Sequence, residues 1–223
     1  MNKVLIIAAH PDDETLGCGG TIVKHITEKD LVRIIFISDG VTSRENSNQN
    51  EIELRRECAY DACKVLGVTD LSFFSFPDNR LDTVPLLDIV KCIEAEIQNF
   101  MPTIIYTHSG SDLNIDHKII NKATLTACRP KEGDSIREIY SFEVLSSTEW
   151  SSVYENYFKP NHFIDISKFI DIKLEAMSKY KSEINKPPHP RSHEVIRALC
   201  KYRGSTSGFD YAEAYMLERS RVN

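Results

Sequence analysis

Two short segments carry residues that could do chemistry. His10-Pro11-Asp12-Asp13-Glu14 places an imidazole and three acids directly after the apolar run Val4 to Ala9. An imidazole and a carboxylate three residues apart can converge on one ion where the backbone turns, and Pro11 favours a turn. Two adjacent carboxylates allow one to bind a cation while the other handles a proton. Taken alone, the segment reads equally well as an acidic turn in which Asp12 or Asp13 caps the next helix. The second segment, Thr107 to His117, gathers two histidines, His108 and His117, with Asp112 and Asp116. Facing histidines and carboxylates are what a zinc or iron site requires. Two imidazoles and one carboxylate with coordination positions left open form a catalytic arrangement rather than a closed structural one. Gly17-Cys18-Gly19-Gly20 follows the first segment but lacks the G-x-G-x-x-G spacing, and the acids ahead of it would repel a pyrophosphate.

For these segments to meet, the elements around them must bring them to one edge. Lys3 to Ala9 reads as a buried strand, Thr21 to Glu28 as a helix and Leu31 to Ser38 as a second strand. Glu51 to Leu66 is helical with Gly67 as its C-cap, and Leu71 to Phe74 is a third strand. Pro85 opens a further helix that Pro102 closes, Thr103 to Thr107 is a fourth strand, and Asp116 to Ala127 is helical. This alternation predicts an α/β fold, a Rossmann-like, mostly parallel sheet with helices on both faces. Ligands of such sheets bind at the C-terminal edge of the strands, where both polar segments fall.

Residues 1–130 form the regular Rossmann-like half of an expected single domain spanning 1–223, and 131–223 a less regular half that completes the site. In the latter, Glu138 to Val144 and His162 to Ile166 read as strands. Ser167 reads as the N-cap of a helix reaching about Lys181, and Ser192 to Tyr202 as a helix. Tyr211 to Leu217 suits a strand or a helix, and Thr42 to Asn50 a polar loop.

Composition narrows the class. Of 223 residues, 41% are hydrophobic and 27% charged, which is globular and excludes wholesale disorder, collagen and coiled coil. Lys and Arg number 27 against 33 Asp and Glu, a net charge of −6 that argues against a nucleic-acid partner. No apolar run approaches the roughly 20 residues of a membrane span, and the N-terminus carries no signal-like segment, so a cytoplasmic location is expected. The six cysteines show no C-x-x-C spacing and are expected as reduced, structural thiols.

His10-Pro11-Asp12-Asp13-Glu14 and Asp112-Leu113-Asn114-Ile115-Asp116-His117 resemble the two signatures of the LmbE-like, or PIG-L-like, zinc-dependent N-deacetylases. The likeness extends to Ser38-Asp39-Gly40, to Glu53 through Glu57 with Leu66-Gly67-Val68, and to Phe76-Pro77-Asp78. It continues through Lys173, Ala176, Tyr180 and Ser182, and through Tyr211-Ala212-Glu213-Ala214. The resemblance implies Zn²⁺, or Fe²⁺ on the same donors, bound by His10, Asp13 and His117, with Asp12 as general base and Arg55 holding substrate. It further implies hydrolysis of an N-acetyl group from an acetamido sugar of the GlcNAc type, carried on a nucleotide, lipid or small molecule. On that reading Asp12 takes a proton from the attacking water, Asn114 donates to the oxyanion, and Asp116 orients a ligand or Asn114. The chain departs from the family at Asn114, where several members carry histidine, and His189 or His193 is a candidate replacement imidazole. Tyr106, Trp150, Tyr154 and Tyr157 are candidate stacking surfaces for the substrate. Arg44, Arg55, Arg56 and Arg80 are candidates for holding a phosphate or a sugar hydroxyl. Competing readings are an amidase for a non-sugar N-acyl substrate and a non-catalytic metal- or sugar-binding protein. The sequence leaves a homo-oligomer open.

Overall fold

The computed structural model describes residues 1–45, 48–152 and 157–222. Its elements run β1 (Lys3–Ala8), α1 (Asp13–Thr27), β2 (Leu31–Ser38), α2 (Gln49–Leu66), β3 (Asp70–Phe76), α3 (Leu86–Phe100), β4 (Ile104–His108) and α4 (Ile115–Ala127). They continue with β5 (Glu138–Phe142), β6 (His162–Asp165), α5 (Ile170–Met177), α6 (His193–Ser205) and β7 (Ala212–Ser220). All seven strands share one sheet in the order β3-β2-β1-β4-β5-β7-β6. Strands β1 to β5 are parallel, and β7 pairs antiparallel with both β5 and β6.

The strand order reverses between β1 and β4. The chains leaving those two neighbours diverge to opposite faces and open a crevice at the C-terminal edge. Val4 through Ala9 are fully buried, because this central strand is covered on both faces. Alternate residues feed two cores. Val4, Ile6 and Ala8 join the one formed with α1, α2 and α5, while Leu5, Ile7 and Ala9 join the one formed with α3 and α4.

Several boundaries differ from the sequence reading. The first helix begins at Asp13 rather than Thr21, so the glycines lie inside it. They permit contact rather than a turn: a Cβ on Gly17 would stand 2.3 Å from the Phe142 ring, and one on Gly20 would stand 2.7 Å from Ile166. The helix expected from Ser167 to about Lys181 runs over Ile170–Met177, and Ser167 bonds Asp165 through its amide and hydroxyl instead of capping it. The loop after β2 is shorter than expected. Asn48 forms a capping box with Glu51 and starts α2 at Gln49. Asn46 and Ser47, in that loop, lie outside the described residues, as does Tyr154. The segment after Tyr211 is a strand.

Beneath α1 lies a buried ion pair. Lys173 Nζ donates to Glu213 Oε1 at 2.5 Å and to the Leu16 carbonyl at 2.7 Å. Glu213 in turn accepts the amides of Gly20 and Thr21. Lys173 and Glu213 therefore anchor the helix that carries Asp13. Removing one partner of such a pair leaves an uncompensated charge, which costs about 3–5 kcal/mol. Lys173→Met is expected to lose that much in urea unfolding, and adding Glu213→Gln should recover part of it.

Candidate active site

The loops after β1 and β4 bring the two polar segments face to face. The chain leaves β1 through Ala9 and turns at Pro11, and Asp12 forms the N-cap of α1 with φ 128° and ψ −24°. That conformation is rare for any residue other than glycine. From it, Asp13 and Glu14 enter the first helical turn, where acids complement the helix dipole. Across the crevice, Asn114 caps α4 by accepting the Asp116 amide at 2.8 Å. This places Asp116 and His117 in that helix's first turn.

His10, Asp13 and His117 converge, with one potential ligand atom from each lying within 4.8 Å of the others. Asp13 Oδ2 lies 3.2 Å from His10 Nδ1 and 3.4 Å from His117 Nε2. All three residues are buried, yet Asp13 Oδ1 and His117 Nε2 have no hydrogen-bond partner. Buried polar atoms left unpaired in one place fit a cation that would satisfy them together. The surrounding carboxylates set the tautomers. His10 Nε2 lies 3.0 Å from Asp116 and 3.1 Å from Asp78, which puts its proton there and leaves Nδ1 facing Asp13. His117 Nδ1 lies 3.2 Å from Asp112, itself held by the Ser147 and Thr148 hydroxyls, which leaves Nε2 facing Asp13.

Burial opposes charge on both imidazoles, yet the carboxylates outweigh it. His10 is raised well above its usual value by Asp116, Asp13 and Asp78, and His117 is raised to about 9 by Asp13 and Asp112. Burial likewise pushes Asp13 up, but His117, His108 and His10 hold it well below the carboxylate range. His108 stacks on His117 with ring centres 3.9 Å apart, and its Nε2 accepts the Ala9 amide at 2.8 Å. Burial and the neighbouring His117 keep His108 neutral, with a value well below 6.5.

Asp12 lies beside this group and is 1% exposed. Two guanidiniums converge on its Oδ2, Arg55 at 3.1 Å and Arg191 at 2.9 Å. Burial raises the Asp12 carboxyl, and the two arginines offset part of that rise. Glu183 binds the far side of both arginines, at 2.7 Å from Arg55 and 3.2 Å from Arg191, and also binds Arg44. A cavity of about 260 Å³ opens beside Arg55 and Arg44, lined also by Val41, Leu54, Cys58 and Lys181.

Other expected residues are placed differently. Asn114 uses its oxygen for the helix cap, and its amide donates to Asn79 at 2.9 Å. Its side chain is thus engaged in positioning α4. Asp116 accepts the amides of Asn79 and Leu81 besides contacting His10, so it orients His10 and not Asn114. Neither replacement imidazole is hydrogen-bonded to the cluster: His189 accepts the Arg191 amide, and His193 lies 3.2 Å from the Ser178 hydroxyl. Tyr106 is buried against His25 and Tyr140 in the core and offers no stacking surface, whereas Trp150 and Tyr157 are exposed. Arg56 bonds Ser75, and Arg80 is exposed. Asp39 serves its own turn through the amides of Val41 and Thr42. Sequence reasoning missed Arg191 and Glu183. The only local signal was a charged residue directly after the proline-rich break.

The family described as GlcNAc-PI de-N-acetylase (PIG-L) matches over residues 5–128. The uncharacterized deacetylase YaiS of Escherichia coli is 31% identical over 185 residues, spanning 80% of this chain and 90% of YaiS. The diacetylchitobiose deacetylase of Thermococcus kodakarensis is 28% identical over 222 residues, 96% of this chain and 82% of that enzyme. Among solved structures, the N,N'-diacetylchitobiose deacetylase of Pyrococcus horikoshii superposes with a TM-score of 0.80 at 20% identity. That match covers 98% of this chain and 84% of the other.

The arginine cluster predicts a particular acid response. Burial disfavours the Glu183 carboxylate, but Arg55 and Arg44 outweigh it and lower its value from 4.5 to about 2. A depressed folded-state value gives stability that is present above pH 4.5 and lost as pH falls toward 2, on the order of 3 kcal/mol for this shift. Glu183→Gln should lack that part of the acid-induced loss, as read from urea unfolding at pH 6 and at pH 2.5.

Proposed function

The chain belongs to the PIG-L family of GlcNAc-PI de-N-acetylases, and from that premise we propose that it is a metal-dependent hydrolase that removes the acetyl group from an acetamido sugar. The observation that carries this reading is the buried cluster of His10, Asp13 and His117, in which Asp13 Oδ1 and His117 Nε2 lack hydrogen-bond partners, next to an arginine-clamped Asp12. The names of relatives that deacetylate diacetylchitobiose favour a GlcNAc-type substrate.

His10 Nδ1, one Asp13 oxygen and His117 Nε2 would hold the cation, a donor set that suits zinc and also iron(II). Such an ion polarises an acyl carbonyl and acidifies a bound water. The protein's own residues do the rest. Arg55 and Arg191 occupy Asp12 Oδ2, so Oδ1 is the oxygen that neither guanidinium engages. Asp12 accepts the proton of the attacking water as the oxygen–carbon bond forms. It returns that proton to the sugar nitrogen as the carbon–nitrogen bond breaks, releasing acetate and a free amine. Burial raises the Asp12 carboxyl, which strengthens it as a proton acceptor, and the two arginines offset part of that rise. Asn79 and Asn114 brace Asp116, which keeps His10 in its metal-facing tautomer. The cavity beside Arg55 is the space through which a carrier group would extend.

Asp12→Asn should lower kcat for acetate release from N-acetylglucosamine derivatives by about 10²–10⁴-fold while metal content stays at wild-type level. Near-normal turnover would remove Asp12 from the mechanism. His10→Ala and His117→Ala should instead lower metal stoichiometry, measured by elemental analysis after dialysis.

A metal must displace the proton that the carboxylates favour on His117. Apparent zinc affinity should therefore rise with pH from 6.5 towards about 9, the value of His117, in competition titrations with a chelator of known pH dependence. An affinity independent of pH would contradict that linkage.

A further inference from the structure

Asp12 stands in a backbone conformation that L-residues avoid, at φ 128°. Such strain costs energy and persists only where the surroundings over-determine it. The surroundings here are specific. The Asp12 amide donates to Glu14 Oε2 at 2.9 Å, a buried bond across two residues that spans the turn at Asp12. The other carboxylate oxygen, Glu14 Oε1, accepts the Thr15 hydroxyl at 2.5 Å and the Tyr180 hydroxyl at 2.8 Å. Asp12, Glu14 and Tyr180 are each at most 1% exposed. The Tyr180 ring lies under the Arg55 guanidinium, 5.3 Å from ring centre to cation, and Arg55 binds the Asp12 side chain. The contacts form a closed circuit: Asp12 amide, Glu14, Tyr180, Arg55, Asp12 carboxylate.

We propose that Glu14 and Tyr180 are positioning residues that hold Asp12 in its left-handed conformation, so that its carboxylate faces Arg55 and Arg191 beside Asp13. The inference rests on Asp12 as the proton acceptor. Without the circuit, the Asp12 peptide relaxes to an ordinary helix-cap conformation, and its carboxylate leaves the arginines. A small displacement of a catalytic group is expensive for the reaction and nearly free for binding. Glu14 therefore acts on kcat through Asp12 and touches neither the substrate nor the metal ligands' donor atoms.

The test compares variants that keep or lose the acceptor at the Asp12 amide. Glu14→Gln can present its amide oxygen to that N–H while its NH2 faces two hydroxyls able to rotate and accept. Glu14→Met fills the same space with no acceptor. Glu14→Gln is expected to keep kcat within about fivefold of wild type, and Glu14→Met to lose about 10²-fold, with KM and bound metal unchanged in both. Tyr180→Phe, which keeps the ring under Arg55, should lose about tenfold, within the range for a misplaced catalytic group. Equal kcat in Glu14→Met and wild type would overturn the proposal and leave the base assignment intact, since that is judged separately by Asp12→Asn. Should Glu14→Met fail to fold, Tyr180→Phe and a stability comparison carry the test. Asp12→Gly relieves the strain that Asp12→Ala keeps, and should melt about 2–8 °C higher. Equal melting temperatures, or Tyr180→Phe with wild-type kcat, would contradict it.

Discussion

Asp13 is buried in contact range of three imidazoles, where the neighbouring strands β1 and β4 send their chains to opposite faces of the sheet. Its second oxygen and the facing nitrogen of His117 have no hydrogen-bond partner. An unsatisfied buried polar atom costs about 1–3 kcal/mol, and more when charged. A fold that accepts this cost must hold the groups too firmly for them to turn away. Most of what surrounds them can be understood as the means of doing so. The fully buried β1 fixes where His10 emerges, the cap at Asn114 fixes His117, and the glycine face of α1 lets that helix lie directly against Phe142 and Ile166.

A ring of carboxylates then decides which atom of each imidazole faces inward. Asp116 and Asp78 take the outer nitrogen of His10, and Asp112 takes that of His117. Asp78 comes from the segment after β3, and Asp112 and Asp116 from the β4–α4 connection and the first turn of α4, so the orientation of the imidazoles depends on the packing of several elements. A second layer balances charge around Asp12. Arg55, Arg191 and Arg44 share the two carboxylates of Asp12 and Glu183, which leaves an excess of positive charge beside a buried acid. That excess favours the ionised Asp12 carboxylate, although burial works against it.

Much of this was legible in the sequence, and the limits have physical causes. Alternating buried strands and amphipathic helices announced the sheet, and the two polar segments at strand ends announced the site. The early start of α1 was hidden because Gly17, Gly19 and Gly20 are poor helix formers whose justification is the ring and side chain they pack against, both distant in the chain. What the sequence could not show at Asn114 is its local engagement: its oxygen accepts the Asp116 amide and its NH2 donates to Asn79. Arg191 and Glu183 could not be found from spacing at all. They reach Asp12 and Arg55 across 179 and 128 residues through a loop without regular structure. Local motifs reveal groups that act together when they are adjacent in the chain, and tertiary packing alone reveals the rest.

The central claim is that one divalent cation sits among His10, Asp13 and His117. Anomalous X-ray scattering at the zinc edge, from crystals of the zinc-loaded protein, tests it most directly. The account predicts a single strong peak about 2.0–2.2 Å from His10 Nδ1, an Asp13 oxygen and His117 Nε2. A peak seated instead among His10, Asp78 and Asp116, or bound through Asp12, would contradict it.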